Sequence, residues 1–350
     1  MIVRERDTFA DLINCLTGDA KAPRNWHAVV DLATRTLTVG TLADRVLSRR
    51  DYAMPEELRE LLVDLRDRAR RRNEHIIRQF AELLPALNGV GVTPIAMKGL
   101  ARLLSSPDEG SRLLSDIDIL VPAQRRIDCV EALRSLGYEI IVGAENELLP
   151  PVLARTRDVG TVDLHTSLKP HYLNLGYDQI KPYCSTNQSL GGEVRVPDAT
   201  CQLFLNVLHD QLNDKDYWCG QIDVRHLVDM HRLIAEEGVQ WSRLESFTKD
   251  STLRRAFKVQ MLTAGYFLQS PIPERYRNGL WTRVQLLRRR IQSRLPSTRP
   301  IFTAVTMALD PPRESGQLGE TGAREPKGGL QKFGNRARKY FWVSYPGKLH

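Results

Sequence analysis

The most informative stretch of the chain, residues 95–121, is IAMKGLARLLSSPDEGSRLLSDIDILV. Its first three residues are apolar and predict the end of a strand, which breaks at Lys98 and Gly99. A short helix or loop then runs to Arg112. The apolar run that follows carries two aspartates and predicts a second strand. The turn at Lys98 and the strand that carries the two aspartates are therefore expected to be neighbours.

The two aspartates of this strand, Asp116 and Asp118, are two residues apart. Side chains alternate along a strand, so both carboxylates should share one face, with Ile117 and Ile119 on the other. Adjacent carboxylates repel unless a cation lies between them, and such oxygen ligands suit Mg²⁺ or Mn²⁺. An isolated Asp-x-Asp is also common at an ordinary polar strand edge, so the surrounding motifs decide.

Those surrounding motifs resemble the uncharacterised nucleotidyltransferase family of the DNA polymerase β-like superfamily. In that family an apolar strand ends in Leu-Lys-Gly, an arginine precedes an Asp-hydrophobe-Asp strand, and an Asp-Leu-His strand follows. The matching residues here are Met97-Lys98-Gly99, Arg112, Asp116-Ile117-Asp118 and Asp163-Leu164-His165. Met97 stands where the family usually has leucine. The resemblance runs over about residues 73–273.

The resemblance implies an α+β fold, with a small mixed sheet and flanking helices carrying a metal site for Mg²⁺ or Mn²⁺. Asp116, Asp118 and Asp163 would be the metal ligands and catalytic residues. A third carboxylate from a neighbouring strand is what two-metal phosphoryl chemistry requires. Asp163 would also take the proton of the acceptor hydroxyl. His165 would orient Asp163 or contact the acceptor, and a purely structural histidine is an equal alternative.

Lys98, Gly99 and Arg112 would bind the triphosphate of an NTP substrate. Glycine lets a ligand approach the backbone closely, and amides at the start of the next helix attract phosphate. Lysine adds a point charge that meets a triphosphate, although an isolated lysine is more often a surface residue. The implied reaction is transfer of a nucleoside monophosphate to an acceptor hydroxyl or phosphate, with release of pyrophosphate.

The pattern of elements divides the chain into four regions. A helix is predicted from Pro55 to Gly89, and the first core strand over residues 90–97. Beyond residue 297, Gly, Pro and scattered charges predict a flexible tail, with residues 340–343 docking locally. The regions are an N-terminal helical region (1–88), the nucleotidyltransferase core (89–197), a C-terminal helical bundle (198–296) and a basic tail (297–350).

The formal charge of +8 permits a polyanionic partner but does not choose between nucleotide and RNA. The acceptor is therefore either a small molecule or RNA, and only RNA binding should weaken steeply with salt. The sequence predicts neither the nucleobase nor the oligomeric state. No apolar run reaches about 18 residues and no signal peptide pattern starts the chain, so no membrane contact and a cytoplasmic location are expected. The five cysteines form no CxxC pair and are expected to be reduced.

Two other functions remain open from the residues. The site could bind nucleotide without turnover and act as a sensor or partner module, although such a module would not need a third carboxylate. Alternatively, the dipeptide His209-Asp210 suggests an HD-type phosphohydrolase. That enzyme would need further ligands on helices, such as His165, His171 and Asp229, but the two histidines come from a strand-like and a loop-like region.

Overall fold

A computed structural model describes residues 2–18, 22–49, 53–106, 111–143, 150–236, 238–312 and 348–349. The helices are α1 (Ile2–Thr17), α2 (Trp26–Arg35), α3 (Val39–Leu47), α4 (Glu56–Gly89), α5 (Lys98–Ser105), α6 (Arg126–Ser135), α7 (Tyr177–Ile180), α8 (Ala199–Leu208), α9 (Asp216–Cys219), α10 (Val224–Glu236), α11 (Trp241–Phe247), α12 (Ser251–Phe267), α13 (Leu280–Gln292) and α14 (Arg299–Leu309). The strands are β1 (Ile95–Ala96), β2 (Asp116–Leu120), β3 (Glu139–Val142), β4 (Val152–Ala154), β5 (Thr161–His165), β6 (Ser167–Leu168), β7 (Leu175–Gly176), β8 (Cys184–Asn187), β9 (Val194–Pro197), β10 (Ile222–Asp223) and β11 (Lys348–Leu349).

The core is a mixed sheet of seven strands in the order β3-β4-β5-β2-β1-β9-β8. β2 runs parallel to β5 and antiparallel to β1. The α+β class predicted from the sequence is therefore confirmed. The predicted first strand was too long, since β1 holds only Ile95 and Ala96 of residues 90–97. Pro94 lacks an N–H for a ladder, and its carbonyl instead accepts from the amide of Arg195 at 2.8 Å.

Helix α4 covers one face of this sheet. The helix begins at Glu56, so Pro55 is its N-cap residue rather than its first helical residue. The helix ends at Gly89 as predicted. Its apolar positions recur at helical spacing and bury one stripe against the sheet. The stripe and the inward faces of the strands form one core, which includes Ile76, Phe80, Leu83, Leu84, Ile117, Ile119, Val162 and Leu164.

The N-terminal and C-terminal helices share a second core. It contains residues of α1 to α3 together with residues of α8, α10 and α12, and it reaches the sheet at Ile95, Met97 and Leu120. One contact of this kind is the edge-to-face pair of Phe9 and Phe267, whose ring centroids lie 5.3 Å apart. The helical regions at the two ends of the chain therefore pack as one layer beside the sheet.

The start of the region predicted as a flexible tail is ordered, so that boundary was wrong. Helix α14 follows residue 298, and Asp310 just after it accepts from Arg255 Nε and Nη2, both at 2.7 Å. The indole N–H of Trp218 donates to the carbonyl of Asp310 at 2.8 Å. Residues 313–347, including the predicted docking segment 340–343, lie outside the described residues. Among the described helices, none combines the length and apolar character needed to cross a membrane.

Candidate active site

The parallel pairing of β2 and β5 brings the predicted carboxylates together. In this register Asp118 lies opposite Asp163, and Asp116 lies opposite Thr161. The alternation on each strand buries Ile117, Val162 and Leu164 completely in the core. The polar residues are thereby directed to the other face of the sheet.

Asp118 is the buried centre of this arrangement, with only 2% of its surface exposed. Its Oδ1 lies 2.6 Å from Lys98 Nζ and 2.8 Å from His165 Nε2. Burial alone would raise the pKa of Asp118, but the charge of Lys98 and the hydrogen bond from His165 hold it well below its usual range. Asp118 is therefore ionised, and its carboxylate binds the side chains of Lys98 and His165.

Asp163 behaves in the opposite way. Burial and repulsion from Asp118 and Asp116 raise the pKa of Asp163 to about 6. For Lys98, burial lowers the pKa, but attraction to the three carboxylates, with Asp118 first, outweighs it and raises the pKa overall. The site therefore carries more negative charge than its two neighbouring basic side chains neutralise.

The side chains that can share one cation differ from the predicted set. Asp118, Asp163 and His165 each offer a ligand atom within 4.8 Å of the others. Asp116 is not part of that group, and its Oδ1 accepts from Ser115 Oγ at 2.8 Å. His165 thus contacts Asp118, rather than orienting Asp163 as one interpretation of the sequence expected.

The structural roles of Lys98 and Gly99 in the turn differ from the sequence prediction. The left-handed backbone conformation belongs to Lys98, with φ of 48°, at the first residue of α5. Such a conformation is uncommon for a residue with a side chain and clusters at functional sites. A Cβ at Gly99 would lie 2.5 Å from Arg112 Nη1 and 2.6 Å from Leu114 Cδ2. The close approach at Gly99 is therefore made by the protein's own side chains.

We expect Gly99→Ala to destabilise the protein by about 1–3 kcal/mol, because the new methyl group overpacks Arg112 and Leu114. Gly89→Ala is the matched control, since a Cβ there has nothing within 4 Å and the residue lies at the end of α4. The control should be neutral or slightly stabilising. Urea unfolding of the two variants measures the difference, and equal stabilities would show that the packing at Gly99 is not tight.

Arg112 is buried away from the open face of the site. It forms a bidentate ion pair with Asp229 of α10, with Nε–Oδ1 at 2.9 Å and Nη2–Oδ2 at 2.6 Å. Burial would raise the pKa of Asp229, but the guanidinium of Arg112 lowers it overall. Instead of pointing to a triphosphate, Arg112 links the loop before β2 to the C-terminal helices.

Two residues of α4, Arg72 and Asn73, bind the backbone of the segment just before β2. The sequence analysis predicted neither contact. Asn73 donates to the carbonyl of Arg112 at 2.6 Å and accepts from the amide of Leu114 at 3.0 Å. Arg72 donates to the carbonyls of Leu114 and Val159, both at 2.9 Å. The sequence offered one signal for these contacts: Asn73 is a polar residue at a buried position of the apolar stripe of α4.

A cavity of about 220 Å³ lies beside these side chains. Asp163 and His165 line it from the sheet, Lys98 lines it from the start of α5, and His209 and Asn213 line it from the C-terminal helices. The segment after β5 contributes Lys169 and His171 to the same wall. The cavity therefore lies between the sheet and the helical bundle and is rich in basic side chains.

The ligand set proposed for a phosphohydrolase is not assembled. Asp229 pairs with Arg112 and His165 with Asp118, so neither joins His209 and Asp210. The nearest partner of Asp210 is instead His226 of α10, with Nδ1 2.5 Å from Oδ1. The HD-type hypothesis in that form was wrong, because the supporting residues belong to other contacts.

One solved structure and one family model resemble this chain. A solution structure of the antibiotic-resistance factor ANT(2'')-Ia is similar, with a TM-score of 0.37 and 14% identity, over 55% of this chain and 97% of that chain. No curated protein matches the sequence. The model of the family described as uncharacterised nucleotidyltransferase matches residues 22–269, a longer stretch than the motifs alone indicated. This chain belongs to the uncharacterised nucleotidyltransferase family.

Proposed function

We propose that the protein transfers a nucleoside monophosphate from an NTP to an acceptor hydroxyl or phosphate and releases pyrophosphate. The observation that carries this proposal is the register of β2 and β5, which sets Asp118 beside Asp163. Lys98 and His165 complete that group at the wall of the cavity. Carboxylates, a lysine and an adjoining cavity are the parts that phosphoryl transfer needs for positioning and charge stabilisation.

The donor set fits a divalent cation. Asp118 and Asp163 stand opposite each other, and their mutual repulsion contributes to the raised pKa of Asp163. Mg²⁺ or Mn²⁺ would be held by Asp118 and Asp163, with Asp116 as the further carboxylate and His165 beside them. Bound there, the metal supplies neutralisation of the triphosphate charge and a lower pKa for the acceptor hydroxyl.

The protein's own residues would perform three further tasks. Asp163 would take the proton of the acceptor hydroxyl, because it lines the cavity where the acceptor would bind. His165 holds Asp118 in place through its 2.8 Å contact. Lys98 would contact the triphosphate, and the first amides of α5, which have no acceptor within their own helix, would bind its phosphate oxygens.

The acceptor, a small molecule or the end of an RNA chain, would bind in the cavity of about 220 Å³ beside Asp163. Each NTP, labelled at the α-phosphate, is incubated with the protein, Mg²⁺ or Mn²⁺ and a cell extract separated into RNA, protein and small-molecule fractions. We expect label to enter the RNA or the small-molecule fraction. Nucleotide binding with no transfer to any fraction would instead support the sensor or partner module.

We expect Lys98→Met to raise the KM for the NTP by about tenfold or more, because one charge-assisted contact to the triphosphate is lost. The KM for the acceptor should change much less. Lys181→Met, at an exposed lysine in the short helical turn before β8, is the control and should leave both constants unchanged. An unchanged KM for the NTP in Lys98→Met would assign Lys98 to the neutralisation of Asp118 alone.

A further inference from the structure

A second group of ligand-type side chains lies on the helical bundle. A π-helical turn, His209–Asn213, follows α8 and carries His209 and Asp210, while α10 contributes His226. One ligand atom from each of these three residues lies within 4.8 Å of the others. Asp210 and His226 are buried, with 0% and 7% of their surfaces exposed. None of the three belongs to the carboxylate group around Asp118.

The nitrogen of His209 that faces this group makes no hydrogen bond. Its Nδ1 is buried, and the nearest carboxylate oxygens, from Asp210 and Asp214, lie 3.7 and 3.6 Å away. These distances exceed a hydrogen bond. They are close to the separation of about 3.3 Å between two ligands on a tetrahedral ion with bonds of about 2.0–2.1 Å. A buried imidazole nitrogen aimed between carboxylates without a hydrogen bond is the arrangement a metal ion would complete.

The backbone supports the same conclusion independently. The chain at His209 and Asp210 adopts a π-helical turn, a rare conformation that is frequently found at functional sites. The rings of His209 and His226 meet edge to face, with their centroids 6.0 Å apart. His209 and Asp210 of this turn therefore both lie against His226 of α10.

We propose that His209, Asp210 and His226 form a second metal site, for a zinc-type divalent ion. Two imidazoles and one carboxylate favour Zn²⁺ over Mg²⁺, whereas the aspartates around Asp118 favour the harder ion. The hydrogen bond between His226 and Asp210 is exchanged for bonds to the ion, and the proton it carries is released to solvent. Because His209 also lines the cavity, this ion lies at the wall opposite Lys98 and Asp163.

Cobalt absorption tests this site without any nucleotide. Tag-free protein is stripped with a chelator, supplied with excess Mg²⁺ to fill the carboxylate site, and titrated with Co²⁺. We expect one equivalent of Co²⁺ to bind with a visible absorption band, and Zn²⁺ to displace it. His209→Ala should weaken Co²⁺ binding by on the order of tenfold or more, with the circular dichroism spectrum unchanged.

Two control variants separate this site from other histidines and from the transfer reaction. His75→Ala removes an exposed histidine of α4, and Asp118→Asn alters the carboxylate site; both should bind Co²⁺ as the wild type does. A wild-type protein that takes up no stoichiometric Co²⁺ would overturn the proposal. A His209→Ala variant that binds as tightly as the wild type would overturn it equally. Since the readout is binding alone, loss of nucleotidyl transfer would leave the result unaffected.

Discussion

Asp118→Asn is expected to lower nucleotidyl transfer by at least about 10³-fold while the protein remains folded. The charge stabilisation that a metal provides is worth several kcal/mol, and each 1.36 kcal/mol changes the rate tenfold. The asparagine keeps an oxygen that can accept from Lys98 Nζ and His165 Nε2, the two present partners of Asp118. The measurement is the initial rate of label transfer, with circular dichroism and the thermal midpoint as checks of folding.

Asp128→Asn provides the matched control for this experiment. Asp128 is an exposed acid of α6 that pairs with Arg125 on the surface. Its replacement removes the same charge and should leave the transfer rate unchanged, since exposed pairs contribute little. Normal transfer by Asp118→Asn would mean that Asp118 is a structural partner of Lys98 and that the metal assignment is wrong.

Arg112→Met is expected to destabilise the protein by about 3–5 kcal/mol, because it leaves Asp229 as an uncompensated buried charge. Both side chains of the pair are nearly inaccessible, with 4% and 3% exposed. The double replacement Arg112→Met with Asp229→Leu should recover most of the loss, since it removes both charges together. Urea unfolding of the two single variants and the double variant measures the effect.

Arg134→Met is the control for the arginine substitution. Arg134 forms an exposed pair with Glu131 on α6, so its loss should change stability by no more than about 0.5 kcal/mol. A stable Arg112→Met variant with a raised KM for the NTP would instead support the triphosphate contact that the motif implied. A large loss of stability, recovered in the double variant, would assign Arg112 to linking the core and the bundle.

The local part of the site could be predicted because strand geometry alone determines it. An apolar alternation around Asp116 and Asp118 requires a strand, and the same is true of the run around Asp163. The structure has both strands, β2 and β5, as neighbours. The turn at Lys98 was also predicted, although the residue with positive φ is the lysine rather than the glycine.

The partners of the polar residues could not be predicted, since they are distant in sequence. Arg112 and Asp229 are 117 positions apart, and only the packing of α10 brings them together. His226 reaches Asp210 in the same way. The boundary at residue 297 failed for a related reason: Asp310 is held by Arg255, a contact that local composition does not reveal.

Nucleotidyl transfer cleaves the NTP between its α- and β-phosphates. The most direct measurement compares the same NTP labelled at the α-phosphate or at the γ-phosphate, with Mg²⁺ or Mn²⁺ and the acceptor-containing fraction. We expect the α label to join the acceptor and the γ label to appear only in pyrophosphate. Transfer of γ label to the acceptor, or its release as inorganic phosphate, would contradict nucleotidyl transfer.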